Sequence, residues 1–97
     1  MMNDIQLKLN ETGKGAFVIE ENGEQLAEMA VSVANGILIA YHTEVSDKLA
    51  GQGVGKKLLI EMVDYSRANN LMVVPLCPFV KAQFERSPEK FEDIWKH

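Results

Sequence analysis

The stretch Leu49-Ala50-Gly51-Gln52-Gly53-Val54-Gly55-Lys56-Lys57-Leu58-Leu59 places three alternating glycines ahead of a run with helical periodicity. Apolar residues then recur at spacings of three and four, which predicts an amphipathic helix ending near Asn69-Asn70. The first N–H groups of a helix have no intrahelical partner, and the helix dipole adds about half a positive charge there. The stretch therefore predicts a phosphate-binding loop, with a flexible turn as the alternative that glycine content alone leaves open. The candidate binding residues are Gly51, Gln52, Gly53, Val54, Gly55, Lys56 and Lys57.

Two familiar nucleotide-binding motifs fail on spacing. A P-loop needs a glycine where Ala50 stands and a Ser or Thr where Lys57 stands, so its magnesium ligand is missing. A dinucleotide fingerprint needs a third glycine at Lys56 and an acidic residue after the next strand, where Val74-Pro75 stands. If the glycine loop binds phosphate, it therefore belongs to another class of phosphate site.

Period-two alternation ahead of the loop predicts four antiparallel strands in a meander, at residues 5–9, 16–20, 26–33 and 37–44. The pairs Asn22-Gly23 and Asn35-Gly36 favour tight hairpins, because these residue types tolerate positive φ. After the central helix we predict a short buried strand at 71–74, a helix from Pro78 to Arg86 and a last helix over 89–97. The fold class is thus α/β in the α+β sense: a meander, a helix, a fifth strand and C-terminal helices.

Length and composition restrict the class of protein. The 97 residues, 46% apolar and 25% charged, predict one globular domain spanning 1–97. A net charge of −4 argues against charge-driven nucleic-acid binding. No apolar run approaches the ~20 residues of a membrane-spanning helix. We therefore expect no nucleic-acid partner and no membrane segment.

Cysteine and histidine content carries two further expectations. Cys77 is the only cysteine and cannot form an internal disulfide, and the N-terminus lacks the pattern of a secretory signal, so we expect a cytoplasmic protein. Together with Cys77, His42 and His97 supply no ligand pairs at the short spacings of zinc or iron sites. The sequence therefore predicts no metal site.

The order of strand, Gln-Gly-x-Gly turn, helix and strand after a meander resembles the GNAT superfamily of N-acetyltransferases. Its signature is Arg or Gln, two residues, Gly, one residue, then Gly or Ala; residues 50–55 match except at Ala50. That departure removes a side chain often found near the pyrophosphate and weakens binding or shifts the duty to Lys48. Residues 42–45, 73–80 and 87–89 look like the minimal YjdJ-type GNAT subgroup, and the likeness runs from about Ala16 to Asp93.

The resemblance implies a GNAT-like acyl-CoA N-acyltransferase fold, in which the fourth and fifth strands run parallel and then splay. Acetyl-CoA is the implied cofactor and an amine the implied acceptor. The glycine loop would hold the pyrophosphate, and the backbone of Thr43, Glu44 and Val45 would hold the pantetheine arm. Phe79 and Phe84 are typical core residues that the resemblance also places beside the pantetheine channel.

Acetyl transfer needs a base for the amine and a proton for the departing thiolate. A lysine-type amine costs about 4–5 kcal/mol to deprotonate at pH 7, so a positioned base has to help. Glu44 and His42, two apart on a strand, point to one face and are the candidate bases. Cys77 precedes a helix N-terminus, and three roles remain open for it: nucleophile, general acid or packing residue.

Activity itself has an alternative, because fold does not fix function. A domain of this kind could retain coenzyme A as a non-catalytic binding or sensor module. If it is an enzyme, its small size predicts an open acceptor site, suited to a protein lysine, an N-terminus or a small polyamine. We expect a monomer or a weak dimer.

Overall fold

The computed structural model describes residues 4–97. In that range the strands are β1 (Ile5–Leu9), β2 (Lys14–Glu21), β3 (Glu24–Ala34), β4 (Ile37–Val45) and β5 (Met72–Pro75). The helices are α1 (Val54–Ala68), α2 (Pro78–Arg86) and α3 (Pro88–Phe91), and a short 3-10 turn covers Asp47–Leu49. None of these helices is long and apolar enough to cross a membrane.

The five strands form one sheet in the order β1-β2-β3-β4-β5. Each of the first four strands pairs antiparallel with the next one along the chain, and β5 pairs parallel with β4. Both predicted hairpin pairs take the backbone they require: φ is 53° at Asn22 and 80° at Gly23, and 54° at Asn35 and 77° at Gly36. The predicted meander, helix and parallel fifth strand are confirmed.

Helices α1 and α2 lie side by side on one face of the sheet. Leu58 and Met62 of α1 are fully buried against Phe17 of β2 and Met29 of β3. Val80 of α2 belongs to the same core. The opposite face of the sheet carries polar side chains bonded to one another, among them the pairs Lys8–Glu20, Glu28–His42 and Ser32–Tyr41. The helices therefore cover one face of the sheet, and the polar face remains open.

Strands β4 and β5 pair over only four residues of each strand and then separate. Their register extends from Ile37 opposite Met72 to Ala40 opposite Pro75. The N–H of Cys77 then donates to the carbonyl of Ala40 at 2.8 Å. Beyond that bond, residues 41–45 of β4 pair with β3 alone. An opening between the two strands therefore begins beside Cys77.

A bulge in β4 lies at the start of this opening. Ala40 is opposite Val31 and His42 is opposite Ala30, so Tyr41 is the extra residue. A bulge re-aims the side chains that follow it, because one residue is inserted into an alternating pattern. The faces of residues 42–45 are therefore opposite to those that a regular strand would have.

The C-terminal segment differs from its predicted form. The prediction of a helix over 89–97 is wrong, since helix α3 ends at Phe91 and the chain then turns. Trp95 forms a parallel bridge with Val73, in which Val73 N–H donates to the Ile94 carbonyl and Lys96 N–H donates to the Val73 carbonyl. The free edge of β5 has backbone groups that need partners, and pairing with it outweighs the local helical spacing.

Candidate active site

The glycine loop has the backbone that its sequence predicts. Gly51 and Gly53 have φ of 79° and 67°, a region that side chains with a Cβ enter only at a cost. Gly53 is the N-cap of α1 and offers no side chain to the helix end. A Cβ built on either glycine meets nothing within 4 Å, so both positions face open space.

Several backbone donors point into this space. Among residues 4–97, the N–H groups of Gly53, Val54, Gly55 and Lys56 have no hydrogen-bond acceptor. The first hydrogen bond of the helix runs from the Lys57 N–H to the Gly53 carbonyl. Free donors at a helix N-terminus favour an anion electrostatically. The loop thus fits a phosphate or pyrophosphate group. Val54 can contribute only its backbone, because its side chain is buried.

The polar side chains around the loop differ in whether they are already engaged in an ion pair. Gln52, Lys56 and Lys57 are exposed beside the glycines. Lys48 lies just ahead of the loop, but its ammonium bonds the carboxylate of Glu24 at 2.8 Å. Lys48 could therefore replace the missing Arg or Gln of position 50 beside the pyrophosphate only by giving up its ion pair with Glu24.

The two aromatic candidates occupy different surroundings. Phe79 is half-buried, and its Cζ lies 3.3 Å from where a Cβ on Gly55 would stand, so it packs directly over the loop. Phe84 is fully buried, stacked on Phe91 at 4.6 Å and edge-on to Trp95 at 5.5 Å. Phe79 is therefore adjacent to the loop, whereas Phe84 has no exposed surface to line a channel.

Cys77 lies at the inner end of the opening between β4 and β5. Its Sγ is 3.3 Å from the Oγ1 of Thr43, and its side chain is 1% exposed. It caps helix α2, whose first residue is Pro78. The fold thus brings together two residues, Thr43 and Cys77, that the sequence named for separate reasons.

His42 and Glu44 share the open face of the sheet, as predicted. Glu28 of β3 joins them, because its Cα is opposite that of Glu44. Its Oε2 lies 3.1 Å from the Nε2 of His42. Sequence reasoning missed Glu28; the hairpin register counted from Asn35-Gly36 brings it to this part of β4, but without the bulge it would be opposite Thr43.

These three side chains could also hold a cation. One ligand atom from each of Glu28, His42 and Glu44 lies within 4.8 Å of the other two. Such a set was invisible to an argument based on short ligand spacings, because Glu28 lies on a different strand. Both carboxylates also line a surface groove of about 460 Å³ with Gln25, Leu26, Ala27, Val45 and Ser46.

Known proteins are similar to this chain in sequence or in fold. Residues 16–94 match the family described as GCN5-related N-acetyl-transferase. The solution structure of a GCN5-like candidate N-acetyltransferase from Staphylococcus aureus is similar over 98% of this chain and 91% of that one, with 36% identity and a TM-score of 0.68. The ribosomal-protein-S18-alanine N-acetyltransferase from Escherichia coli shares the fold over 68% of this chain and 43% of that one, with 18% identity and a TM-score of 0.59.

No curated protein sequence matches this chain. The family match covers most of the residues, including the glycine loop, the opening between β4 and β5 and Cys77. The mixed sheet with its parallel β4–β5 pair agrees with the similar solved structures. The chain belongs to the GCN5-related N-acetyltransferase family.

Proposed function

We propose that this protein transfers an acetyl group from acetyl-CoA to a primary amine. The observation that carries the proposal is the glycine loop at the start of α1, where four N–H groups have no acceptor in the described part of the chain, next to the opening between β4 and β5. Gly51 to Gly55 hold the pyrophosphate in this proposal, with Gln52, Lys56 and Lys57 at its edge. The exposed backbone of Thr43, Glu44 and Val45 holds the pantetheine arm.

Acetyl-CoA, when bound, supplies an activated acyl thioester. The amine nitrogen forms a bond to the acyl carbon while the C–S bond breaks, so the products are an amide and coenzyme A. One amine proton must leave, and the departing sulfur must receive one. His42 and Glu44 on one face of β4, and Cys77 beside Thr43 on the other, are available for these two proton transfers.

The base belongs to the open face, where His42 or Glu44 can reach an acceptor that approaches from solvent. Both side chains are exposed, and the helices lie on the other face. A bound amine is thereby kept apart from the coenzyme until it meets the thioester in the opening. An open sheet face of this kind suits a protein lysine, an N-terminus or a small polyamine.

Cys77 is the proposed proton donor to the departing sulfur. Its thiol is on the side of Thr43, at the inner end of the opening. A thiol and a thiolate are chemically alike, so proton transfer between them is close to balanced in free energy. A nucleophilic Cys77 would instead carry the acetyl group itself, and a packing residue would do neither.

A second candidate is a coenzyme A binding or sensor module without turnover. The burial of Cys77, at 1% exposure, favours it, since a thiol enclosed in the core has limited access to a reacting group. This module would bind acetyl-CoA through the same loop. It would acetylate no amine.

Calorimetric titration of acetyl-CoA, with ATP and NAD as controls, tests the cofactor. A Gly53→Glu variant should lose binding, because a carboxylate would enter the proposed anion site, whereas Gly36→Glu, at the β3–β4 hairpin with a similar positive φ and open space, should retain it. Coenzyme A release with lysine, spermidine and a peptide with a free N-terminus then tests turnover. Binding with no release would favour the sensor module, and no binding would contradict both functions.

A further inference from the structure

We infer that Glu28 is a positioning residue that makes His42, rather than Glu44, the base for the acceptor amine. The inference rests on the proposed acetyl transfer. Glu28 holds the imidazole by its Nε2, which leaves Nδ1 as the atom that takes the proton. In this arrangement Glu28 acts through the imidazole ring, and its carboxylate also lines the surface groove beside Glu44.

The tautomer follows from the partner. An ionised carboxylate can only accept hydrogen bonds, so across the 3.1 Å contact the Nε2–H of His42 donates to Oε2 of Glu28. A neutral imidazole that donates through one nitrogen keeps a lone pair on the other. Nδ1 is therefore left as the proton acceptor.

The carboxylate of Glu28, which accepts from His42, also accepts a second hydrogen bond. The Nε2 of Gln25 donates to the other oxygen, Oε1 of Glu28, at 3.0 Å. The Glu28 side chain is 24% exposed against 52% for that of His42. A bonded, shielded carboxylate behind a more exposed imidazole is an arrangement in which one group orients and the other reacts.

Glu44 lacks comparable support. Within the described part of the chain its carboxylate has no hydrogen-bond partner, so nothing fixes its orientation. Imidazole also titrates closer to neutral pH than carboxylates do, which suits a group that must take and release a proton. After proton uptake the imidazolium lies beside Glu28, and the attraction of opposite charges stabilises it.

Nitrogen-15 NMR of the imidazole rings tests the tautomer without any turnover. His42 signals are those that disappear in His42→Gln, which separates them from His97. In alkaline buffer the wild type should show mainly the Nε2–H form, and Glu28→Ala should move toward a mixture of both forms. A dominant Nδ1–H form, or an unchanged pattern in Glu28→Ala with native backbone signals, would overturn the inference.

Kinetics test the role, using whichever of the three amines the wild type acetylates. His42→Gln should lower kcat by ~10² to 10⁴, and Glu28→Ala by roughly 10-fold, with KM for acetyl-CoA unchanged. Glu28→Gln, which keeps an acceptor oxygen, should recover part of the loss. The double variant should be no slower than His42→Gln alone, because Glu28 acts through that ring. Glu20→Gln, on the same sheet face and paired within residues 4–97 with Lys8 alone, is the control and should keep wild-type kcat.

Three results would overturn the assignment. Glu44→Gln could lose more activity than His42→Gln, or the double variant could show the full product of the two single losses. Dialysis against EDTA could also abolish turnover that zinc restores, in which case His42 is a metal ligand. Absence of turnover with every amine in the wild type would count against the proposed function instead, and the NMR result would still decide how Glu28 acts on His42.

Discussion

The Sγ of Cys77 lies 3.3 Å from the Oγ1 of Thr43, although 34 positions separate the two residues. The contact lies where β4 and β5 cease to pair, at the inner end of the proposed pantetheine opening. The residue that the sequence singled out for its reactivity is therefore placed beside one singled out for coenzyme contact. Their meeting makes Cys77 the most informative position to change.

Replacing Cys77 by Ala should lower turnover by ~10² to 10⁴ if the thiol is the general acid, with acetyl-CoA affinity retained. Coenzyme A release in single turnovers, with calorimetric binding in parallel, measures this. A fall to background together with an acetylated Cys77 in the wild type by mass spectrometry would show a nucleophile instead. Full activity in Cys77→Ala would leave packing as its role.

Gly53→Ala should weaken acetyl-CoA binding and lower stability. A Cβ in the left-handed region costs about 1–2 kcal/mol, and at this N-cap it would also project into the proposed anion site. Gly36→Ala is the matched control, because Gly36 has a positive φ and open space but lies in the β3–β4 hairpin, at the opposite end of β4 from the loop. Both variants should lose similar amounts of unfolding free energy in urea. Equal acetyl-CoA affinity for the two would contradict the proposed loop.

The two aromatic residues of α2 should separate stability from binding. Phe84→Ala removes a fully buried ring between Phe91 and Trp95, and such truncations cost about 3–5 kcal/mol. Phe79→Ala should cost less, since Phe79 is half-buried, but it should weaken acetyl-CoA binding because the ring packs over Gly55. Urea unfolding followed by circular dichroism, with calorimetric titration, distinguishes the two. Weaker binding in a folded Phe84→Ala protein, with Phe79→Ala unaffected, would reverse the assignment.

The ion pair between Arg67 and Asp93 should make stability depend on pH at acidic values. Arg67 donates to both carboxylate oxygens, at 3.0 and 3.2 Å, and this hydrogen bonding holds the pKa of Asp93 below its ordinary 3.8. A lowered carboxyl pKa stabilises the fold above the ordinary value and ceases to do so as pH falls through the lowered one. The Tm difference between wild type and Asp93→Asn should therefore shrink below about pH 3.8.

Glu85→Gln serves as the comparison for that titration, because Glu85 has no ion pair among residues 4–97. Its Tm difference from the wild type should stay nearly constant over the same pH range. A constant difference for Asp93→Asn as well would show that the Arg67 contact contributes nothing in solution. The same Arg67 also donates to the Lys90 carbonyl, so it ties α1 to α3 as well.

Local patterns were sufficient for most of the fold. Asn22-Gly23 and Asn35-Gly36 specified the hairpins because a turn with two positive φ values needs such residues, whatever surrounds it. The helical periodicity after Gly53 and the stop at Asn69-Asn70 were likewise local, and Asn70 has the expected φ of 55°. The helix predicted over 89–97 was wrong, because Trp95 pairs with Val73 of β5, a strand distant in sequence.

The candidate site was only partly accessible to sequence reasoning. The glycine loop could be named because its residues are contiguous, and His42 and Glu44 could be placed on one face because they are two apart on a strand. Glu28 could not, since the bulge at Tyr41 shifts the register of β4 by one residue and turns residues 42–45 over. No local signal for that bulge was recognised.

Residues adjacent in the chain were enough to identify the glycine loop, the strand and helix order and the family that the chain resembles. The folded chain alone shows that Cys77 contacts Thr43, that Glu28 bonds His42 and that Phe84 is buried while Phe79 lies over the loop. These contacts depend on register, on the bulge and on where two strands separate. Such features arise from packing and hydrogen bonding across the whole sheet, where no single stretch of sequence specifies them.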